Sequence, residues 1–441
     1  MALSSWSPGR ALIAGLPTLL LALAAAGGAW TQSAPVASSP APAPAQPSAP
    51  AAPTITDPTQ PSPPAKPTSG PPSAFTFTVA YTADLVGDIA GGVAKGGGYA
   101  DLFKASAAYD GGAQGHDGLT GLISVEHEFG SGFTGRRVGA IQAISSSEVQ
   151  PGALRLYELW LQQLLFGGRG GVKAGLIDVN TTFDVQETAA LFLNGSSGIG
   201  PDISDTGRNG PSDYPTPALA LTAFYRPADD WTVQGGVFDG TAGDPDHRSA
   251  FAAVRFEGAL LIAQAEKRFG DAARVEAGAW TYTGRFPLLT KQTAAGAGPR
   301  ASGNAGIYAL VEGRLLASPG GLGGGLSGWI RGGVANGDIN PVANYLGAGV
   351  VYTAPIKGRD KDAVGLALSR AGLGAGARHV GQLNGRNIGS AETNLEVTYR
   401  YVIADWLYVQ PDVQYVIDPH GDRGIPNALV AGVRFAFTYS K

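Results

Sequence analysis

The sequence predicts an all-β chain: a transmembrane antiparallel β-barrel of about 16 strands, preceded by a disordered Pro/Ala-rich linker. Three observations carry that prediction. The closing segments Glu392–Val402, Leu407–Ile417 and Leu429–Tyr439 alternate at every residue, setting Leu395, Val397, Tyr399 and Tyr401 against Glu396, Thr398 and Arg400 in the first of them. Successive residues of a strand point to opposite faces, so such a segment has one oily face and one wet face. Beyond the first thirty or so residues, no run reaches the ~18–20 apolar residues that a spanning helix needs. Mean hydropathy is also only +0.03, which suits a wall that is oily outside and polar inside.

In chain order, Arg10 precedes an Ala/Leu-rich apolar run, Ala11–Ala26, that ends in Gly27, Gly28 and Ala29. This is the layout of a secretory signal peptide over residues 1–29, the alternative being an amino-terminal membrane anchor; either way the chain leaves the cytoplasm. Residues 30–74 are dominated by Pro, Ala and Ser. Proline removes backbone donors and small side chains bury little, so this stretch is expected to be a disordered linker, either a passive spacer or a periplasmic tether. From Phe75 to Lys441 the chain reads as the barrel domain.

The barrel reading begins with the alternation of Phe75, Phe77 and Val79. It continues through segments near 100–109, 118–129, 155–166, 172–179, 218–226, 231–238, 249–256, 260–268, 274–284, 306–316, 325–334, 345–353 and 363–370 to the three closing strands. RPADDW at Arg226–Trp231 and RFGDAAR at Arg268–Arg274 read as tight turns. Residues 184–217 and 287–303, rich in Gly, Asn, Ser and Pro, read as long loops. Short turns at one end and long loops at the other are the pattern of outer-membrane barrels, and one long loop folded inward is the simplest way to narrow a wide barrel.

Composition and motifs argue against chemistry. The chain has no cysteine, which removes thiolate metal sites and thiol nucleophiles, and its net charge of −4 is unsuited to nucleic acid. Gly323, Gly325 and Gly328 match GxGxxG but lie in a glycine-rich turn entering a strand, and no serine sits in a GxSxG elbow. No enzyme activity and no cofactor are expected. In RLYELWLQQLLF, parity groups Glu158, Trp160 and Gln162 against Tyr157, Leu159 and Leu161. Carboxylates, amides and guanidinium groups exchange hydrogen bonds with sugar hydroxyls while an aromatic ring stacks on the sugar face, so such a wall suits passage of a neutral sugar. The other reading of Trp160 is a ring at the lipid interface.

The strings ISSSEVQPGALRLYELWLQQLLF, VKAGLIDVNTTFD, LFLNGSSGIGP, DYPTPALAL and VFDG, followed by ETNLEVTYRY and YVQPDVQYVIDPHG, resemble the carbohydrate-selective outer-membrane porins of the OprB family over about Val79 to Tyr439. The resemblance implies a monomeric sixteen-stranded barrel with inward loops. It also implies passive diffusion of glucose and similar mono- and oligosaccharides across a Gram-negative outer membrane. Implied partners are sugars, outer-membrane lipid and, during biogenesis, the barrel assembly machinery. The segment Phe183–Pro217, with Asn194, Asp202, Asp205, Arg208 and Asp213, is the expected constricting loop; the other reading is an ordinary external loop. Glu158, Trp160 and Gln162, with Asp178 and Asn180, are expected to face the channel, as are Glu396, Arg400, Asp412, Gln414 and Arg434 from the closing strands. Arg136, Arg137, Arg155 and Arg400 motivate a second reading, a general or anion-selective porin; a third is a structural or adhesive envelope protein. A calcium ion on Asp202 and Asp205 is left open. The tail departs from the family pattern by running two residues, Ser440 and Lys441, past its last aromatic.

Overall fold

The computed structural model describes residues 73–150, 152–243, 258–317 and 324–441. The leader and nearly all of the linker expected before Phe75 therefore lie outside the described residues, as does the segment 249–256. The strands are β1 (Phe75–Ala90), β2 (Gly96–Asp110), β3 (Leu119–Gly130), β4 (Ala153–Leu165), β5 (Gly170–Ile177), β6 (Ala218–Ala228), β7 (Trp231–Asp239), β8 (Ala259–Phe269) and β9 (Ala273–Tyr282). They continue with β10 (Phe286–Pro287), β11 (Arg300–Ala301), β12 (Ala305–Ala317), β13 (Gly325–Ala335), β14 (Val342–Thr353), β15 (Ala363–Leu373), β16 (Ala391–Ala404), β17 (Leu407–Ile417) and β18 (Ala428–Ser440).

Sixteen of these close into one barrel, each antiparallel to its neighbours in sequence; β10 and β11 pair separately within the connection from β9 to β12. β7 pairs directly with β8, from Trp231 opposite Lys267 to Asp239 opposite Ala259. Closure joins β1 to β18 from Thr78 opposite Ser440 onward. Beyond that pair, the Lys441 and Phe77 backbones each donate to the other's carbonyl at 2.9 Å. The two residues that overrun the last aromatic thus extend the closing ladder.

The alternation sorts side chains as the pleat requires. Leu395, Val397, Tyr401, Val413, Tyr415 and Phe435 are exposed on the outer face, while Asn394, Glu396, Gln414 and Arg434 are buried inside. A charged side chain on the lipid face costs ~2–4 kcal/mol at the bilayer midplane, which is the physical reason for keeping the charges inward. One expectation fails at β4. The register against β3 shifts between Ser124 and Val125, with Ser124 opposite Glu158 and Val125 opposite Leu156. Tyr157 is the extra residue of a bulge, so it and Glu158 both point inward and strict parity breaks there.

Glycines let aromatic rings lie flat against the inner wall. A Cβ at Gly278 would sit 2.3 Å from the Tyr308 ring, and one at Gly349 would sit 2.2 Å from the Trp329 ring. The connections also differ by end. Residues 166–169, 229–230, 270–272 and 405–406 are tight, and the opposite end carries 131–152, 178–217 and 374–390. By the rule that periplasmic turns are short, the first end faces the periplasm, together with Phe75 and Lys441.

The apolar core lies inside the barrel, between the wall and the two long connections 131–152 and 178–217. Phe183, Ile199 and Ile203 pack with Phe238, Leu260, Ile262 and Trp280. Leu191 and Phe192 pack with Leu310, Trp329 and Val351, and Phe133, Val138 and Ile144 with Val416 and Val430. Each buried Leu, Ile or Phe of this kind contributes ~1.5–3 kcal/mol, enough in sum to hold both connections against the wall.

Candidate channel constriction

After Ile177 the chain turns into the lumen. The Asp178 carboxylate accepts from the Asn180 backbone at 2.7 Å, and Asn180 Nδ2 donates to the carbonyls of Phe183 and Asp184 at 3.3 and 3.0 Å. This local stapling reverses the chain, and long-range pairs then fix it across the barrel. Arg331, fully buried on β13, donates from Nε and Nη2 to Asp184 at 3.0 and 2.7 Å and from Nη1 to Asp202. The rings of Tyr308 and Tyr345 flank it, each at 5.3 Å. Bidentate guanidinium–carboxylate pairs are among the stronger hydrogen-bonded contacts and fix orientation as well as distance.

Wall carboxylates take the orphan backbone donors of the segment. Glu312 accepts from the Glu187 and Thr188 backbones at 3.1 and 2.6 Å, and Glu396 from Leu193 and Asn194 at 2.5 and 3.1 Å. Gln410 Nε2 donates to the Leu191 carbonyl at 2.6 Å, and Tyr345 Oη to the Ser196 carbonyl at 2.8 Å. The connection 131–152 is anchored in the same way. Glu392 accepts from Ile141 and Gln142 at 2.7 and 2.8 Å, and Arg434, paired with Asp84 at 2.7 and 2.8 Å, also donates to the Ser146 and Ser147 hydroxyls. Ser146 donates its backbone N–H to the Leu193 carbonyl at 2.7 Å, tying the two inward segments together.

The expected site residues divide into three groups. Glu396, Asp412, Gln414 and Arg434 are on the inner face of the closing strands, as is Arg400, but all are buried beneath the inward segments. Arg400 donates to Gln410 at 3.1 Å, Asn194 donates to Gln414 at 3.2 Å, and Gln414 donates to the Ile144 carbonyl at 2.8 Å. These residues anchor the partition. Glu158, Asp178 and Asn180 form the root of the segment. There the Tyr157 hydroxyl donates to Asp178, whose carboxyl also shares a hydrogen bond with Asp213. Burial, and then the charge of Asp178, holds the Asp213 carboxyl well above the usual range. Trp160, Gln162 and Arg208 keep water-facing surface. Lys173 Nζ lies 5.1 Å from the Trp160 ring and donates to Thr182 at 3.0 Å, which puts that ring inside the barrel and not at the lipid interface.

Arg331, Asp184, Glu312 and Glu392 were absent from the sequence reading of the site. The signal for Arg331 and Glu312 was the same alternation, since Trp329 and Arg331 share one face of β13 and Leu310 and Glu312 one face of β12. Nothing local marks their partners.

Chambers lie on both sides of the partition. On the extracellular side a cavity of about 680 Å3 exposes Asp205 and Arg208 beside an Arg386–Asp422 pair at 2.8 Å. Enclosure by protein, and then the charges of Glu392 and Asp202, pushes the Asp205 carboxyl up to about 7. On the periplasmic side a cavity of about 610 Å3 reaches the tight turns near Arg169 and Arg226. Asp202 is engaged by Arg331, and among the described residues no group of three or more His, Asp or Glu side chains is placed to hold a metal ion.

A closed antiparallel barrel of sixteen strands, apolar outside and crossed by pinned polar segments inside, is an outer-membrane porin. The family described as carbohydrate-selective porin, OprB family, matches residues 94–439, and the chain belongs to it. It is a sugar-selective channel of a Gram-negative outer membrane. Porin B of Pseudomonas aeruginosa is 25% identical over 404 residues, covering 82% of this chain and 86% of that protein. The fold is similar to a high-pH structure of Pseudomonas putida OprB, with a TM-score of 0.73 at 22% identity, covering 83% of this chain and 94% of the other. A low-pH structure of Pseudomonas putida OprB has a TM-score of 0.53 at 19% identity, covering 83% of this chain and 93% of the other.

Proposed function

We propose that neutral mono- and oligosaccharides diffuse passively through a monomeric barrel from the extracellular chamber to the periplasmic one. In this reading Trp160 and Gln162 contact the solute and Arg208 contacts it at the outer mouth. The observation that carries it, beside the family match, is that the inward arginines are taken up by carboxylates: Arg155 pairs with Glu128, Arg434 with Asp84, Arg331 with Asp184 and Asp202, and Arg274 with Glu266, Glu276 and Glu312. Arginines paired in this way leave no unbalanced positive field to draw anions through the lumen. Of the arginines that motivated an anion channel, Arg155 is neutralised in this way. Arg136 donates to Gln150 and Arg137 to the Lys95 carbonyl. Sugar titration of single-channel current separates the readings: stepwise block by glucose with weak ion selectivity supports sugar passage. A strongly anion-selective reversal potential without sugar block supports the alternative.

Trp160→Ala is expected to weaken sugar block by about 1 kcal/mol, roughly fivefold in half-blocking concentration, with conductance retained. Unchanged block would remove Trp160 from the sugar path.

Asp205 is expected to make selectivity depend on pH near neutrality. Its carboxyl, with a pKa of about 7, is mostly protonated at about pH 6 and mostly charged at about pH 8, so the outer mouth gains negative charge as pH rises. The potassium-to-chloride permeability ratio should climb across that window in the parent protein and stay flat in Asp205→Asn. A ratio that rises equally in both proteins would assign the titration elsewhere.

A further inference from the structure

We infer that the periplasmic-side chamber is a second sugar station, in which Glu276 is the acceptor for a solute hydroxyl. The inference rests on the sugar-passage reading and adds a site to it. The chamber of about 610 Å3 is within the size range of small-molecule sites, and four arginines and four carboxylates line it, so it offers donors and acceptors with no net formal charge. That balance favours a neutral polyol over an ion of either sign.

The wall of this chamber is pre-organised around Arg274. Its Nε donates to Glu312 at 2.6 Å, its Nη1 donates to Glu266 at 2.8 Å and more weakly to Glu276 at 3.3 Å, and its Nη2 bonds the Val185 carbonyl. Arg274 thereby holds three carboxylates in place and fastens the inward segment beside them. Glu276 Oε1 is left over: it is buried and accepts from no group among the described residues, although Glu276 itself lines the chamber. A buried carboxylate oxygen without a donor is costly, and a hydroxyl arriving in the chamber supplies one. At the rim, Arg268 and Glu187 pair at 2.8 Å while each stays about half exposed, offering a second donor and acceptor to the same solute. Gln234, Gln264, Thr182 and Thr232 add amides and hydroxyls to the wall, which suits a ring of sugar hydroxyls.

The test is glucose titration of single-channel current in planar bilayers with the full-length protein, Glu276→Gln and Trp160→Ala. Glutamine keeps the shape and replaces a charged acceptor by a neutral one. Two binding components are expected in the parent protein, with Glu276→Gln weakening one by about fivefold and leaving the other in place. Glu187→Gln reads the same chamber from its rim should Glu276→Gln fail to assemble, and it is expected to weaken the same component. A single component removed by Trp160→Ala, or two components indifferent to both glutamate variants, overturns the second station while leaving sugar passage standing. Absence of block in the parent protein overturns sugar passage and the station with it.

Discussion

Arg331→Met is expected to open the channel and destabilise it by ~3–5 kcal/mol, because it leaves the carboxylates of Asp184 and Asp202 buried without their cation. Both carboxylates belong to the inward segment, and Arg331 is fully buried between them and the two flanking tyrosines. Loss of the guanidinium should therefore free the segment near Asp184 and the short helix Pro201–Ser204. Single-channel recording should show a larger, noisier conductance with weaker sugar block, and the thermal transition of the folded barrel should fall. Arg331→Lys should recover only part of this, since an ammonium cannot reproduce the bidentate fork on Asp184 while also reaching Asp202. A parent-like conductance in Arg331→Met would mean that the apolar contacts and the anchors from Glu312, Glu396, Gln410 and Tyr345 hold the segment without Arg331.

Glu396→Ala should have the second-largest effect, acting at the far side of the same partition. Its two oxygens accept the backbone N–H groups of Leu193 and Asn194, and the carboxyl shares a hydrogen bond with Asp412. Truncation orphans two buried donors at ~1–3 kcal/mol each. Glu396→Gln retains an acceptor and should cost less, so the ordering of the two variants in thermal stability and in conductance noise tests the anchoring role. Equal behaviour of alanine and glutamine would show that the backbone donors find water on their own, and that Glu396 matters only as a wall charge.

The barrel was legible because each strand carries its own signal. Leu395, Val397 and Tyr401 face lipid and Glu396 and Arg400 face inward for a reason contained in the strand itself, the two-residue period of the pleat. The same rule misassigned Tyr157, because a bulge is a relation between β4 and β3 and leaves little trace in either alone. Trp160 was ambiguous for a similar reason: the polar wall and the lipid interface both suit an indole, and only Lys173 on the neighbouring strand separates them.

The site was less legible than the fold. Length and Gly, Asn and Ser content marked 184–217 and 287–303 alike as long loops, and gave no sign that 131–152 also turns inward. The attachment of 178–217 was not legible, since the pairs that hold it join residues such as Asp184 and Arg331, or Leu193 and Glu396, that are remote in the chain. Glu396, Asp412, Gln414 and Arg434 read from sequence as open channel wall, and the folded chain covers them.

By itself the sequence determined the membrane-spanning barrel, its closing strands and the face that side chains take wherever no bulge breaks the period, because these depend on a local period and on the cost of charge in lipid. Only the tertiary structure decided which inward polar groups meet water and which are consumed in pinning a partition. That choice depends on which orphan backbone donors and opposite charges the closed barrel brings within hydrogen-bond reach.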